Sequence, residues 1–461
     1  MYVDVANRIY NQIKDFEISL PDADFLKMAI AINVAIYFED KMSGIGLWNA
    51  FVSKHMQMYS RQLPFFEDIE ELDSDDINAQ EVQLLVWLVV SREFDERFLN
   101  PITMANSLGN VISDILNEYE DVEVNDELYD YIYDKSKAND YFKLKQNLFW
   151  LRRSYLLSSP LSDERFFDMM DSFAQHFNKS ESAYYADTTF SMTTEIGPLA
   201  IEPHIWLAEM YRNNGLIAEA DRLSNLEYCQ QDIFEVTKTD SSYAILKDSD
   251  GEEYKLLNTF PDLFREGSFV STALVKYGNY DWEINGVLFN SQKVSYNKAC
   301  ERRQKLKYSY EHSYPMFMER TGGKRLFFFT KSSQIEEWLK KISEGIDTNG
   351  FMMPGGEQVA FISKKAGIIF APNIVHAVKS DDNPYYKKCD GRKMHSETMN
   401  AVINDEVTHP EMLQYLLQNN MLQDGDISGS LRSEMGNRIF TQNIDFIARC
   451  HRRHKYHDHD F

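Results

Sequence analysis

Apolar positions recur every three to four residues through most of the first 225 residues, and that period predicts helices. Val5, Ile9, Ile13 and Phe16 mark a first amphipathic helix. The densest run, Phe25 to Val90, carries Trp48 and Trp87 and reads as the core of a helical domain. Within it, Asp24 follows Pro21 as a cap for a helix over Phe25 to Phe38. The KMSGIG segment, Lys41 to Gly46, then predicts a turn, and Leu47 to Tyr59 a third helix. Asn78 and Glu81 have capping-box spacing ahead of a helix with Leu84, Leu85, Leu88 and Val89, apolar around Trp87 on more than one face. Further helices are predicted from Pro101 through Leu116, over Phe142 to Leu157, and from Asp163 to Phe177, with a tyrosine-rich acidic stretch, Glu118 to Tyr133, among them.

Pro203 to Leu226 reads as a helical hairpin and resembles a single tetratricopeptide unit at Trp206, Leu207, Tyr211 and Gly215. One such unit cannot bury its own apolar face, so an ordinary hairpin is the expectation. Near Gln231 the period changes. Ile233–Val236, Tyr243–Leu246, Tyr254–Leu257, Phe269–Val275 and Trp282–Phe289 predict five short strands, with a hairpin turn at Asp248 to Gly251. So many short strands predict a small β-barrel-like module.

Beyond a basic, helical stretch the pattern is mixed. Arg325 to Phe329 predicts a buried strand, and Ser333 with Glu336 a capping box for a helix through Ile342. Val359–Ile362 and Ile368–Phe370 predict a hairpin, followed by helices near Asn373, over Met394 to Asn404, over Pro410 to Leu422, and through Ile444 to Cys450. The expected architecture is multidomain α+β: an all-α domain at 1–227, the β-barrel-like module at 228–292, a basic helical connector at 293–314, and an α+β domain with a polar His-rich tail at 315–461.

A 43% hydrophobic content supports packed cores over 461 residues, and no run reaches the length of a membrane span. The net charge of −24 repels nucleic-acid phosphate, which places a nucleic-acid role through the β module and the connector below the other readings. The N-terminus lacks the pattern of a secretory signal, and Cys229, Cys300, Cys389 and Cys450 lie far apart without disulfide-framework spacing. A cytoplasmic protein is therefore expected.

Candidate chemistry is sparse. Cys450 and His454 share a helical face, and His457 and His459 could complete a zinc set, against the opposition of Arg452, Arg453 and Lys455. The alternative to a metal site is a solvated or partner-facing tail. Arg302, Arg303, Lys305 and Lys307 form the conspicuous basic patch, a docking face for an acidic partner or a solvated helix face. Lys324 after Gly322-Gly323 lacks the spacing, the following Ser or Thr, and the helix of a phosphate loop, and Gly44–Gly46 lacks the dinucleotide-binding pattern. Glu39, Asp40 and His55 are weighed as an acid–base group against plain helix-end polarity. His376 reads as a satisfied core histidine, and Cys389 beside Lys387 and Lys388 as a thiol of lowered pKa. No zincin, hydrolase-elbow or kinase motif occurs, so no catalytic residue and no cofactor is assigned.

The segments Tyr37 to Trp48, Leu63 to Phe66, Asp76 to Trp87, Ala371 to Ile374 and Asn383 to Tyr386 resemble an uncharacterised conserved family of gut Bacteroidetes, built on a domain of unknown function. The resemblance covers most of the chain and implies no activity, cofactor or site residue. The reading is an interaction or adaptor protein that binds another protein; the alternative is a metal-binding protein or metal-dependent hydrolase using the Cys/His cluster.

Overall fold

A computed structural model describes residues 1–17, 22–66, 77–93, 98, 101–119, 122–137, 140–258, 262–278, 281–343, 355–386, 391–422 and 434–458. The chain divides into two compact units, one of Met1–Asp95 with Leu99–Ala299 and one of Glu96–Phe98 with Cys300–Phe461.

The first unit opens with α1 (Tyr2–Ile13), α2 (Ala23–Met42), α3 (Leu47–Tyr59), α4 (Ala79–Glu93), α5 (Pro101–Asn117) and α6 (Asp126–Tyr133). It continues with α7 (Tyr141–Arg152), α8 (Pro160–Ala174), α9 (Lys179–Thr193), α10 (Pro203–Asn213) and α11 (Ile217–Ser224). The helical period is realised closely: Val5, Ile9 and Ile13 form the buried face of α1, and Leu84, Leu85, Trp87 and Leu88 of α4 are all buried. Gly44 and Gly46 take positive φ in the turn between α2 and α3, a conformation that favours glycine. Gly197 is required by space as well as by φ. A Cβ there would lie 2.4 Å from Leu157 and 3.0 Å from the Trp206 ring, whose Nε1 donates to the Ile196 carbonyl at 3.1 Å.

Several caps differ from expectation. Asp22, not Asp24, precedes α2, and its side chain makes no capping bond. Asn78 does accept from Gln80 N at 2.7 Å, but Glu81 turns inward instead of closing the box. Its carboxylate accepts from Tyr37 Oη at 2.7 Å, Trp48 Nε1 at 2.6 Å and Lys41 Nζ at 3.3 Å. A buried carboxylate with three donors outbids a surface capping bond, because leaving it unpaired would cost several kcal/mol, on the order of a lost buried charge pair. Further on, α8 starts at Pro160, where Ser159 and Ser162 form the capping box, and Asp163 lies within its first turn.

Next come β1 (Glu227–Thr239), β2 (Tyr243–Lys247), β3 (Glu253–Leu257), β4 (Phe269–Lys276), β5 (Glu283–Ile284) and β6 (Phe289–Ser291). They form an antiparallel sheet of order β3-β2-β1-β4-β5, with β6 also on β4. The turn at Asp248 to Gly251 joins β2 and β3 as expected, Asp248 accepting from Asp250 N and Glu252 N, both at 2.9 Å. The expected barrel does not close. Trp282 N donates to the Lys255 carbonyl at 2.9 Å, and Leu256 and Trp282 form a single bridge, so the sheet curls without a closing ladder. The reason is local: Trp282 to Phe289 is not one strand. Gly286, at φ 98°, breaks it into β5 and β6, which pair with successive stretches of β4.

The helix α12 (Lys293–Arg320) continues past residue 314 through Pro315, and most of it belongs to the second unit. That unit adds β7 (Leu326–Phe329), α13 (Ser332–Ile342), β8 (Gln358–Ser363), β9 (Gly367–Ala371), α14 (Gly391–Ile403), α15 (Pro410–Gln418) and α16 (Glu434–Arg452). Its sheet is antiparallel in the order β7-β8-β9. The central strand β8 is buried along its whole length, and alternate residues feed two cores. Val359 and Phe361 pack with Ile374, Ala401, Met412 and Leu416, while Ala360 and Ile362 pack with Phe317, Ile335 and Leu339. α13 begins one residue before Ser333, and Gln334 Oε1 accepts from Thr330 N at 2.8 Å and Lys331 N at 3.3 Å in place of the expected box. The helix expected near Asn373 is a single 3₁₀ turn, Pro372–Ile374.

Up to Tyr456 the C-terminal segment is largely packed instead of forming a solvated tail. Cys450, His451, Arg452, Arg453 and Tyr456 are buried, because Arg452 donates to the carbonyls of Ala401, Val402, Asn404 and Thr408 at 2.7–2.9 Å. These include carbonyls of the last turn of α14, groups that a helix cannot pair internally.

Candidate functional site

The residues singled out by sequence fall into separate settings. Glu39, Asp40 and His55 do not act together. Asp40 accepts from Leu47 N at 3.0 Å, Trp48 N at 2.7 Å and Tyr155 Oη at 2.8 Å, so it caps α3, whose preceding glycine has no side chain to do so. Glu39 accepts from Asn125 Nδ2 at 2.8 Å. His55 Nδ1 bonds to the Arg61 carbonyl at 2.7 Å, and burial lowers its pKa to about 4. The three are structural.

At the C-terminus, Cys450 ends within α16, His454 sits in the 3₁₀ turn Arg453–Lys455, and His457 follows it; His459 lies outside the described residues. Burial pushes the Cys450 thiol up to about 12. Among the described residues, no three His, Cys, Asp or Glu side chains are grouped so as to hold a metal ion. Cys389, Lys387 and Lys388 also lie outside the described residues. Lys324 leaves a glycine turn and pairs with Asp382 at 2.7 Å.

His376 is held as a core histidine. Its ring Nδ1 lies 2.8 Å from Glu397 Oε1, and its backbone N–H donates to Glu397 Oε2 at 2.7 Å. Its Nε2 is 3.5 Å from Glu357 and 3.4 Å from Lys393 Nζ. This double grip of one carboxylate ties α14 to the turn after β9.

On α12, Arg302, Lys305 and Lys307 are exposed beside Tyr308, and Arg303 is half-buried. The basic patch is thus presented on a helix surface.

The surface that sequence reasoning missed is on α2. Phe25, Met28, Ile32 and Ile36 are 63, 43, 45 and 39% exposed, while Leu26, Ile30, Ala31, Val34, Ala35, Tyr37 and Phe38 of the same helix are buried. Intervals of three, four and four residues put the exposed set on one face. A helix that is apolar all round reads as wholly buried. The available signal was that this run holds more large apolar residues than one packing face uses.

Once these settings are compared with known families, the match is broad: a family model, described as a protein of unknown function (DUF3843), matches residues 1–259 and 282–453. The chain belongs to the DUF3843 family. The two matched stretches take in all the helices of this DUF3843 protein's first unit and nearly all of its second. No curated protein matches it, and no solved structure does.

Proposed function

We propose that this DUF3843 protein is a cytoplasmic interaction or adaptor protein, and that the outer face of α2 is where another protein docks. The observation that carries the reading is the exposed row Phe25, Met28, Ile32 and Ile36. A surface helix of a soluble protein ordinarily turns charged residues outward, and contiguous exposed apolar rows mark interaction sites. Anchors at such helical intervals are the pattern by which one amphipathic helix seats in another protein's groove. Asp22 and Asp24 are exposed at the start of the row, which favours a partner whose apolar face carries basic residues at that end. The exposed Arg302, Lys305 and Lys307 on α12 support a second contact, with an acidic surface. The widely spaced cysteines agree with a reducing compartment, and the segments quoted above with an origin in gut Bacteroidetes.

The test is the double variant Met28→Asp, Ile32→Asp. Both side chains are already exposed, so the fold should be kept, as judged by circular dichroism and thermal unfolding. The parent chain should purify from its own cells in a stoichiometric complex that the variant does not form. A complex retained in full by the variant would refute this docking face.

A further inference from the structure

A second feature of the first unit points to a ligand of different chemistry. Between α6 and the turn that joins α10 to α11 lies a cleft of about 560 Å³, a size suited to a small molecule or a single long side chain. Its lining includes Tyr129, Tyr133, Asp130, Asp134, Lys135 and Asn214, so the tyrosine-rich acidic stretch of the sequence forms much of one wall.

The rings are held in place before any ligand arrives. Tyr133 Oη donates to the Ile45 carbonyl at 2.7 Å, and Tyr129 Oη donates to Asn214 Oδ1 at 3.0 Å. The two ring centroids are 4.8 Å apart with planes at 46°, and the Tyr133 ring also packs on Tyr211 at 5.7 Å. The hydroxyls are therefore committed to the protein, and because Tyr133 is buried between Tyr129 and Tyr211, the ring surface open to a ligand is chiefly that of the half-buried Tyr129.

Charge comes from the exposed Asp130 and Asp134. The Ser136 backbone N–H and hydroxyl both donate to Asp134, which holds its carboxyl below the usual range and keeps it ionised at neutral pH. Among the lining residues two carboxylates face one cation, Lys135, while Lys137 and Lys143 act on Asp134 from outside the lining. Aromatic surface next to carboxylates is the combination that attracts organic cations. The chain shows the same chemistry alongside, where Lys137 Nζ sits 3.3 Å from the centre of the Tyr131 ring.

We propose that this cleft is a binding site for an organic cation, best suited to a guanidinium group that lies against the Tyr129 ring and pairs with Asp130 and Asp134. A guanidinium is flat, stacks on aromatic faces and offers donors to two carboxylates at once, which an ammonium does less well. The cation could be a free small molecule or an arginine of a bound protein, and the experiment separates the two.

The full chain is titrated calorimetrically at low salt with Nα-acetyl-arginine amide, its neutral citrulline analogue, spermidine, and a heptapeptide with a central arginine. The arginine amide should bind at least about tenfold more tightly than the citrulline analogue. The double variant Asp130→Asn, Asp134→Asn should weaken it by about tenfold, and salt should weaken it in the parent more than in the variant. Both positions are exposed, so these variants should fold; Tyr129→Leu is a second check on the stacking surface. A peptide that binds about tenfold more tightly than the amide assigns the cation to a partner protein. Binding of the free amide as tight as that of the peptide or tighter assigns it to a small molecule, and spermidine binding more tightly than the amide would overturn the preference for a guanidinium. Equal binding of the citrulline analogue, unchanged affinity in the double aspartate variant, or no heat up to about 10 mM ligand would overturn the proposal.

Discussion

Lys145 on α7 gives the sharpest test of how the first unit is held together. Its side chain is 1% exposed, and its Nζ donates to Tyr184 Oη at 2.8 Å. Around it stand the rings of Tyr141, Phe142 and Tyr184, with centroids 5.7, 5.1 and 4.9 Å from Nζ. Burial lowers its pKa from 10.5 to about 8, against the opposing pull of Glu283. The folded-state pKa is below the unfolded one, so between about pH 8 and 10.5 the unfolded chain binds a proton that the folded chain has released. Stability from this group therefore rises with pH across that window, and the full penalty, about 3 kcal/mol, is present at and below neutral pH.

Lys145→Met keeps the length of the side chain and removes the charge. The penalty is already net of the pull of Glu283, and the lost ring contacts return part of it, which leaves an expected gain of about 1–3 kcal/mol at pH 7. Tyr184 is partly exposed, so its hydroxyl can bond to water instead. Urea unfolding of parent and variant at pH 7 and near pH 10.5 measures the difference, in which tyrosine ionisation common to both proteins cancels. The gain should shrink towards zero at the higher pH. A variant that is less stable at pH 7, or a difference that does not change with pH, would refute the reasoning.

Two other substitutions test the packing. Gly197→Ala should cost about 2–4 kcal/mol, from a strained φ of 73° and the overlap with Leu157 and Trp206, and should lower the urea midpoint of the first unit at unchanged slope. Arg452→Met should cost about 3–5 kcal/mol by removing the guanidinium that donates to the Ala401, Val402 and Thr408 carbonyls, while the Asn404 carbonyl keeps Val407 N as a donor at 3.3 Å; faster hydrogen exchange at the C-terminal turn of α14 is its local signature.

What was legible in the sequence follows from the range of the forces involved. α3 runs over Leu47–Tyr59 as its pattern indicates, and β2, β3 and the β8–β9 hairpin fall close to their expected places, because side-chain period and turn chemistry are local. The errors lie where a distant group intervened. Its spacing from Asn78 marks Glu81 as a capping residue, yet its partners Tyr37, Lys41 and Trp48 are more than 30 residues away. The sequence around Arg452 reads as a polar tail, because nothing nearby shows that the carbonyls around residues 401–408 need a donor. The split of β5 from β6 had a local mark, Asn285-Gly286, that was passed over in favour of continuous β propensity.

The same distinction bears on function. In the first unit the acidic and aromatic side chains that could carry chemistry are mostly spent on position: Asp40 on the start of α3, Glu81 on Trp48 and Tyr37, and Asp187 on Arg152 and Arg153. Each carboxylate accepts from two or more donors, and a group so engaged is poorly placed to take up a substrate proton. Among the features that this packing leaves turned outward are the apolar row of α2 and the acidic, tyrosine-lined cleft beside α6. These two faces are the ones on which the proposed binding rests, and the α2 and Asp130/Asp134 variants test them separately.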